Sequence, residues 1–299
     1  LNERFMRWGM RTLLPYPARF APLFRLGALF RPLMPAALKA KMPLLHEPGT
    51  RPSGKHVRKV ILFEGCVQSV VATSINAATS RVLDRLGISC ITANGEGCCG
   101  AVSNHTGDIP AGEEMARRNI DSWVPHLDAG AEAIVTTASA CGLEIREYPE
   151  LLKNDSAYAG KAQRIADAVM DISEFLSQSV DSSDLTLSAP LPQISFHAPC
   201  TLQHGLKQAG TVEGLLQKLG FSVRTPADPH LCCGSAGTYS ILQPGMALQL
   251  RDDKLEKLDA AGAEVIATAN IGCMMHLQSG TGTEVRHWIE IIDSSLDQA

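Results

Sequence analysis

Eight of the nine cysteines in this 299-residue sequence follow one repeated pattern. A single cysteine is followed, after 31 residues, by Cys-Cys-Gly in both copies, and 41 or 39 residues then lead to a last cysteine. Equivalent cysteines lie 134, 134, 134 and 132 positions apart, which indicates an internal duplication. The first copy holds Cys66, Cys98, Cys99 and Cys141, and the second holds Cys200, Cys232, Cys233 and Cys273.

Four thiolates per copy match the ligand number of a tetrahedral zinc ion or an iron-sulfur cluster. The sequence shows no secretion signal, and in reducing compartments cysteines bind metals or react more often than they cross-link. Metal or cluster binding by all eight residues is therefore the leading hypothesis. A thiol-disulfide enzyme that works through the adjacent pairs is an alternative. Cys90 falls outside the pattern and is predicted to be a core residue.

Strand and helix patterns alternate between the cysteines, in the same order in both copies. VRKVILFEGC, ISCITAN and AEAIVTTASAC are read as three strands of the first copy, with amphipathic helices between them. This alternation predicts an α/β fold with two similar tandem domains, each a mainly parallel sheet flanked by helices. Because the carboxyl ends of parallel strands meet at one crevice, each quartet of cysteines is predicted to form one site.

A basic helical segment precedes the two domains. Residues 1–60 carry 12 Lys and Arg against two acidic residues, whereas residues 61–299 carry 15 against 29. Prolines at 15, 17, 22, 32 and 35 predict several short helices rather than a long one. The expected divisions are a basic amphipathic segment and linker at 1–55, domains at 56–180 and 193–299, and a polar linker at 181–192.

The arginines of the opening segment alternate with apolar clusters, as they do in helices that lie on membrane surfaces. Binding to a membrane surface or a partner is one interpretation, and packing of its apolar side under the main body is the other. No apolar run is long enough to span a bilayer. Nucleic acid is not an expected partner, because the acidic remainder of the chain repels phosphates.

Other polar side chains near the cysteines are weaker candidates. Histidines near the second copy could be ligands or donors to sulfur, but the first copy has none at the matching positions, which argues against ligation. His105 is interpreted as a contact to a cluster or partner, or as an ordinary loop residue. Glu64 and Glu96 are expected to be solvated, because carboxylates repel an anionic cluster. The four histidines are His197, His204, His230 and His276, and the matching positions hold Phe63, Val70, Glu96 and Glu144.

The segments FEGCVQ, GEGCCGAVSNHTGD, TASACG, FHAPCTLQHG, LCCGSAGTYSILQP and ANIGCMMHL carry a family resemblance over nearly the whole chain. They resemble the cysteine-rich CCG domains of the heterodisulfide reductase B-subunit family and, more closely, the iron-sulfur subunits of glycolate oxidases within it. The resemblance implies a non-catalytic electron-transfer subunit of a membrane-associated complex that oxidises glycolate to glyoxylate. Electrons would pass from partner subunits that carry FAD toward a membrane quinone.

The resemblance also implies cofactors, partners and a location. Each quartet would hold an iron-sulfur cluster, and [4Fe-4S] is the expected type. Related chains begin with a ferredoxin-like domain, which is expected to precede Leu1 here. In the heterodisulfide reductases each motif ends in Cys-x-x-Cys, but Ala138 and Asn270 stand at the earlier place here, which argues against a five-cysteine cluster. The expected location is cytoplasmic, peripheral on the inner face of the cell membrane.

Two further interpretations compete with this one. The chain could be a zinc-stabilised scaffold that joins flavin subunits to the ferredoxin-like region, or the equivalent iron-sulfur subunit of a lactate or glycerol-3-phosphate dehydrogenase. The sequence contains no G-x-G-x-x-G after its first strand, no phosphate-binding G-x-x-x-x-G-K-[ST], no G-x-S-x-G and no H-E-x-x-H. Substrate catalysis is therefore expected on another subunit.

Overall fold

The computed structural model describes residues 3–34, 47–179 and 184–297, which form two four-stranded sheets. The strand order is β2-β1-β3-β4 in the first sheet and β6-β5-β7-β8 in the second, and all neighbours pair in parallel. The shared order confirms the predicted α/β fold with duplicated parallel sheets. The strands are β1 Arg58–Leu62, β2 Ile88–Ile91, β3 Ile134–Thr136, β4 Val169–Asp171, β5 Ile194–His197, β6 Val223–Arg224, β7 Val265–Thr268 and β8 Glu284–His287.

Helices cover the sheets, and the helix Ile109–Asp128 begins at a start signal in the sequence. Asp108 accepts a hydrogen bond from the Ala111 amide, and Pro110 follows in the first turn. The first half contains the helices Gln68–Val71, Thr73–Arg85, Ala101–His105, Ile109–Asp128, Ser139–Arg146, Tyr148–Leu151, Ala159–Ala168 and Ile172–Ser179. The second half contains the π-helical turn Thr201–Gly205 and the helices Thr211–Lys218, Tyr239–Leu242, Pro244–Ala260, Ile271–Gln278 and Trp288–Ser295.

The opening segment is helical, as predicted, but its second helix differs from the expectation. Its elements are the helices Glu3–Leu13 and Pro17–Phe30 and a 3-10 turn Arg31–Leu33. The second helix runs through Pro22 instead of ending there, because a proline so close to the helix start removes only the hydrogen bond to the carbonyl of Ala18. Residues 35–46, where the predicted segment continues, lie outside the described part of the chain, as do residues 181–183 of the predicted linker.

Two further features differ from the sequence-based expectation. Each half has a fourth strand, β4 or β8, that the sequence pattern did not predict, because three or four residues are too few to show a period. The last cysteine of each copy lies within a helix rather than at a strand end. β3 and β7 stop at Thr136 and Thr268, so Cys141 and Cys273 fall in the first turns of the helices that follow.

The two halves share one hydrophobic core. Leu62 and Ile75 of the first half and Phe196, Leu215 and Ile289 of the second belong to the same buried cluster. The last helix of each half packs on the other half: Trp288–Ser295 lies against Thr73–Arg85, and Ile172–Ser179 lies against Thr211–Lys218. This reciprocal packing holds the two sheets in a fixed relation.

A buried histidine joins the halves and makes their packing pH-dependent. His287 Nε2 donates a hydrogen bond to the carbonyl oxygen of Thr137 at 2.8 Å, because a carbonyl can only accept. Nδ1 is then unprotonated and accepts from the Ile289 amide at 3.3 Å. Burial lowers the pKa of His287 from 6.5 to about 3. The folded protein therefore binds fewer protons than the unfolded chain, and this contribution to stability is lost as the pH falls from 6.5 toward 3.

Between pH 7.5 and pH 5 we expect His287 protonation in the unfolded chain to remove about 2 kcal/mol of unfolding free energy. His287→Gln keeps a hydrogen-bond donor for the Thr137 carbonyl and should be less stable than the unmodified chain at pH 7.5. Its unfolding free energy should, however, fall less on acidification to pH 5, by that amount. Urea unfolding at the two pH values measures the difference. His230→Gln, at an exposed site, should behave as the unmodified chain does. Equal acid losses for His287→Gln and the unmodified chain would contradict the assignment.

Candidate metal centres

The four patterned cysteines of the first half lie together in the structure. The Cys66 thiol donates to Cys98 Sγ at 3.3 Å, and further interactions that shift the thiol pKa values link Cys98 with Cys99 and Cys99 with Cys141. Cys66, Cys98 and Cys99 are buried, and Cys141 is half-buried. The thiols thus form one continuous group, as the spacing predicted.

Backbone contacts shape the loop that carries the first adjacent pair. Asn119 on the helix Ile109–Asp128 accepts from the Gly97 amide at 2.9 Å and donates to the Cys98 carbonyl at 2.9 Å. The Tyr148 hydroxyl donates to the Cys99 carbonyl at 2.8 Å. Gly100 follows with φ +103°, in the left-handed region that glycine adopts without strain. The chain can therefore leave the strand direction here and turn both thiols into one site.

The second half repeats this arrangement with Cys200, Cys232, Cys233 and Cys273. The thiols interact in the same series, Cys200 with Cys232, Cys232 with Cys233 and Cys233 with Cys273, and each interaction shifts the thiol pKa values. Cys233 and Cys273 are buried, whereas Cys200 and Cys232 are half-buried. This site is therefore more open on one side than the first.

Lys254 holds the loop of the second pair from the helix Pro244–Ala260. It is fully buried, and its ammonium donates to the carbonyl oxygens of Asp228 and Pro229 at 3.3 and 3.1 Å. Gly234 has φ +82°, and its amide donates to Cys232 Sγ at 3.3 Å. Such amide-to-sulfur bonds stabilise a thiolate.

The thiols alternate between donor and acceptor in the same order in both sites. Hydrogen bonds from Cys66 and Cys99 lower the pKa of Cys98 well below the usual thiol value, and those from Cys200 and Cys233 lower the pKa of Cys232. The donors have raised pKa values because of the same bonds. Thiolates are the form of cysteine that binds metals.

A cation lies beside each group of thiols. Arg118 lowers the pKa of Cys98 electrostatically, and its Nε and Nη2 are buried without a hydrogen-bond partner among the described residues. The charge of Lys254 interacts with Cys233 and Cys200. Two buried guanidinium nitrogens without a partner, next to thiols, favour an anionic occupant, because buried polar groups are costly without a partner.

Several other polar residues lie differently from the expectation. Glu64 is paired with Arg51 through two bonds of 2.5 and 2.9 Å. Glu96 accepts from the Trp123 indole at 2.8 Å and from the Glu64 amide at 2.9 Å. The prediction of solvated surface carboxylates is therefore wrong for both. Cys90 is half-buried against the core, in agreement with the prediction.

The candidate histidines occupy different environments. His204 and His230 are exposed, and His276 lies 3.1 Å from the carbonyl oxygen of Ala247. His105 is largely exposed and lies 3.6 Å from Glu144. His197 is fully buried, and its ring nitrogen lies within 4.8 Å of the sulfurs of Cys233 and Cys273. His197 therefore lies where a ligand could lie, contrary to the sequence argument against histidine ligation.

Sequence reasoning missed the residues that shape the two loops. Arg118 and Lys254 lie on long helices among other charged residues, so nothing in the spacing separates them from surface positions. Tyr148 belongs to a four-residue helix that was not predicted. The one usable signal was Asn119, a polar residue on the buried face of its helix.

The opening helices pack on the body through part of their surface only. Met10 is buried, and Phe20 and Phe24 contact the shared core. Other large apolar side chains of these helices remain exposed. In residues 3–34, 47–179 and 184–297, no helix has both the length and the apolar character needed to cross a membrane. The exposed residues are Phe5, Trp8, Leu23, Leu26, Leu29, Phe30 and Leu33.

The family model for the CCG cysteine-rich domain matches residues 60–146 and 194–278, which include all eight patterned cysteines. Comparison with solved structures supports the fold. A hypothetical protein from Helicobacter pylori aligns with a TM-score of 0.59 at 10% identity, over 88% of this chain and 54% of that chain.

Curated relatives carry names that refer to iron-sulfur or lactate-utilization proteins. The chain is 46% identical over 299 residues to the glycolate oxidase iron-sulfur subunit of Escherichia coli and spans 73% of its length. It is 29% identical over 84% of its own length to a probable glycolate oxidase iron-sulfur subunit of Bacillus subtilis, of which it spans 56%. It is also 29% identical over 79% of its length to lactate utilization protein A of Bacillus cereus, spanning 99% of that protein. With two CCG domains and this similarity, the chain belongs to the family of glycolate oxidase iron-sulfur subunits.

Proposed function

We propose that the chain is an electron-transfer subunit of an oxidoreductase complex that oxidises glycolate, with one iron-sulfur centre in each half. The observation that carries the proposal is the duplicated group of four neighbouring thiols. The proposed ligands are Cys66, Cys98, Cys99 and Cys141 in the domain 56–180, and Cys200, Cys232, Cys233 and Cys273 in the domain 193–299.

The residues around both groups suit an anionic cluster. When bound, such a cluster accepts and returns electrons at a potential that its charge, hydrogen bonds and solvent exposure set. Arg118 and Lys254 offset negative charge, and the Gly234 amide donates to sulfur. Burial of the first site limits water, whereas Cys200 and Cys232 give the second a more open edge. [4Fe-4S] is the proposed type because four cysteines supply one ligand for each iron.

Partner subunits complete the proposed reaction. The two sites consist of thiols with a cation beside each, which suits electron transfer. Oxidation of glycolate itself would take place on a partner subunit that carries FAD. This chain would pass the electrons on, toward a ferredoxin-like domain of its own parent protein and a membrane quinone. The names of the Bacillus relatives make lactate the first alternative substrate to compare.

Anaerobic reduction of the metal-loaded chain tests this function. Glycolate with the flavin subunits should reduce the centres, which an EPR signal or bleaching of the visible absorption would report. Omitting the flavin subunits should abolish the change. Lactate and glycerol-3-phosphate are compared in parallel. A loaded chain that the flavin subunits cannot reduce with any of these substrates would contradict the proposal, and bound zinc without iron would favour the scaffold alternative.

The opening helices provide a proposed membrane-surface contact on the cytoplasmic side. Phe5 and Trp8 are each 57% exposed, and Leu29 is 72% exposed, on a segment rich in arginine. Aromatic and leucine side chains beside basic residues bind at the lipid headgroup boundary. The proposed location is peripheral, on the inner face of the cell membrane, and this contact would attach the chain there.

We expect the chain to float with vesicles of anionic lipid and to dissociate as salt is raised. A variant with Phe5, Trp8, Leu26 and Leu29 all changed to Ser should lose most of this binding, because each removed side chain takes away apolar area that enters the lipid. The control is Ile241→Ser with Met246→Ser, which removes exposed apolar side chains from the second half. Equal flotation of the two variants, or no flotation of the unmodified chain, would contradict the proposed contact.

A further inference from the structure

His197 is a buried side chain whose two ring nitrogens are not satisfied by hydrogen bonds of normal geometry within the described part of the protein. It ends strand β5, has no exposed surface, and is surrounded by the shared core and the second site. Neither ring nitrogen makes a hydrogen bond of normal geometry with any residue that the structure describes, although the ring interacts with the Cys273 thiol. Buried polar groups almost always have a partner, so an exception at a candidate metal site points to a bound group.

The position of the ring defines what that group would contact. A ring nitrogen of His197 and the sulfurs of Cys233 and Cys273 all lie within 4.8 Å of one another. These are the two buried thiols of the second site. A metal ion placed between these three atoms could bind all of them. Imidazole nitrogen and thiolate sulfur are ligands that iron and zinc both accept.

The first site lacks this nitrogen. The residue 134 positions before His197 is Phe63, whose ring packs edge-on against Trp123 with the centroids 5.5 Å apart. Sequence duplication therefore preserved the four cysteines but placed an apolar ring in one half and an imidazole in the other. Among the other histidines near the second copy, His204 and His230 are exposed and His276 contacts a backbone carbonyl.

We infer that His197 binds the metal of the second site through a ring nitrogen, alongside Cys233 and Cys273 and in place of one of the two half-buried thiols, Cys200 or Cys232, so that the two centres differ in ligand type. The inference rests on the proposed function for the presence of a metal. A neutral imidazole in place of a thiolate leaves the centre less negative, and the second centre should therefore accept an electron more readily than the first. The pair of centres would then give electron flow a direction within the chain.

The test uses the full chain labelled with ¹⁵N-histidine, in two variants that each keep only one of the two sites. Cys98→Ser with Cys99→Ser leaves the second site, and Cys232→Ser with Cys233→Ser leaves the first. Pulsed EPR of the reduced second-site protein should show a strongly coupled histidine nitrogen, and the first-site protein should not. If the second site holds zinc, X-ray absorption at the zinc edge should show nitrogen among the ligands.

His197→Phe, which copies the first site, should abolish the nitrogen coupling, whereas His204→Phe should leave it unchanged. If His197→Phe loses its metal, His197→Cys should restore binding without the coupling and with a lower reduction potential. A second site that binds metal through sulfur alone would overturn the inference and leave the proposed function intact. A chain that binds no metal in either site would overturn both.

Discussion

A chain carrying Cys99→Ser should lose the metal of the first site and keep that of the second. Cys99 is buried and its thiol interacts with those of both Cys98 and Cys141, so it occupies the middle of the quartet. A serine hydroxyl is not ionised at neutral pH and binds iron or zinc less well than a thiolate. Because one of two sites is removed, iron per chain should fall by about half.

Cys233→Ser is the matched change in the second half and should cause the same fractional loss. Cys90→Ser is the control, since Cys90 lies outside both groups. Iron and sulfide analysis of each purified chain measures the effect, and near-UV circular dichroism checks that the unaffected half keeps its fold. Full iron content in Cys99→Ser, or an equal loss in Cys90→Ser, would show that the thiol groups are not the binding sites.

Gly234→Ala should damage the second site through the backbone alone. Gly234 has φ +82°, and an added Cβ would clash with the carbonyl oxygen of Ala247. A non-glycine residue forced into the left-handed region costs on the order of 1–3 kcal/mol, to which the clash adds. The loop must move, and the hydrogen bond from the Gly234 amide to Cys232 Sγ is then lost. We expect lower stability together with loss of the second-site metal.

Gly237→Ala separates the two causes. Gly237 also has a positive φ, +58°, but an added Cβ there would meet open space. This variant should keep its metal and lose only the stability that backbone strain costs, on the order of 1–3 kcal/mol, without the added clash. Urea unfolding and metal content of the two variants provide the comparison. If Gly234→Ala matches Gly237→Ala in both measurements, the loop does not constrain the site as described.

The grouping of the cysteines could be predicted from the sequence because their spacing is nearly the same in both copies. Equal offsets place equivalent cysteines at equivalent points of two parallel sheets, so their grouping followed from topology. The helical positions of Cys141 and Cys273 could not be predicted, since β3 and β7 end several residues earlier than their apolar patterns. Lys254 was equally hidden, because the surrounding run RDDKLEKLD reads as a solvated helix surface.

His197 shows where a comparison of the two copies misleads. The first copy has Phe63 at the matching place, and this difference argued against a histidine ligand. Burial and distance reverse the argument, because the ring is enclosed with two thiols while the other histidines are exposed or bonded elsewhere. Symmetry of a duplicated sequence predicts what the halves share, but tertiary contacts decide where they differ.

The central claim is that each quartet of thiols holds a redox-active iron-sulfur centre. Iron and acid-labile sulfide analysis of the anaerobically purified chain, combined with EPR before and after reduction, tests it most directly. The account predicts iron and sulfide in both halves, with a signal that appears or changes on reduction. Zinc alone, or a chain free of metal and without a reducible signal, would contradict it.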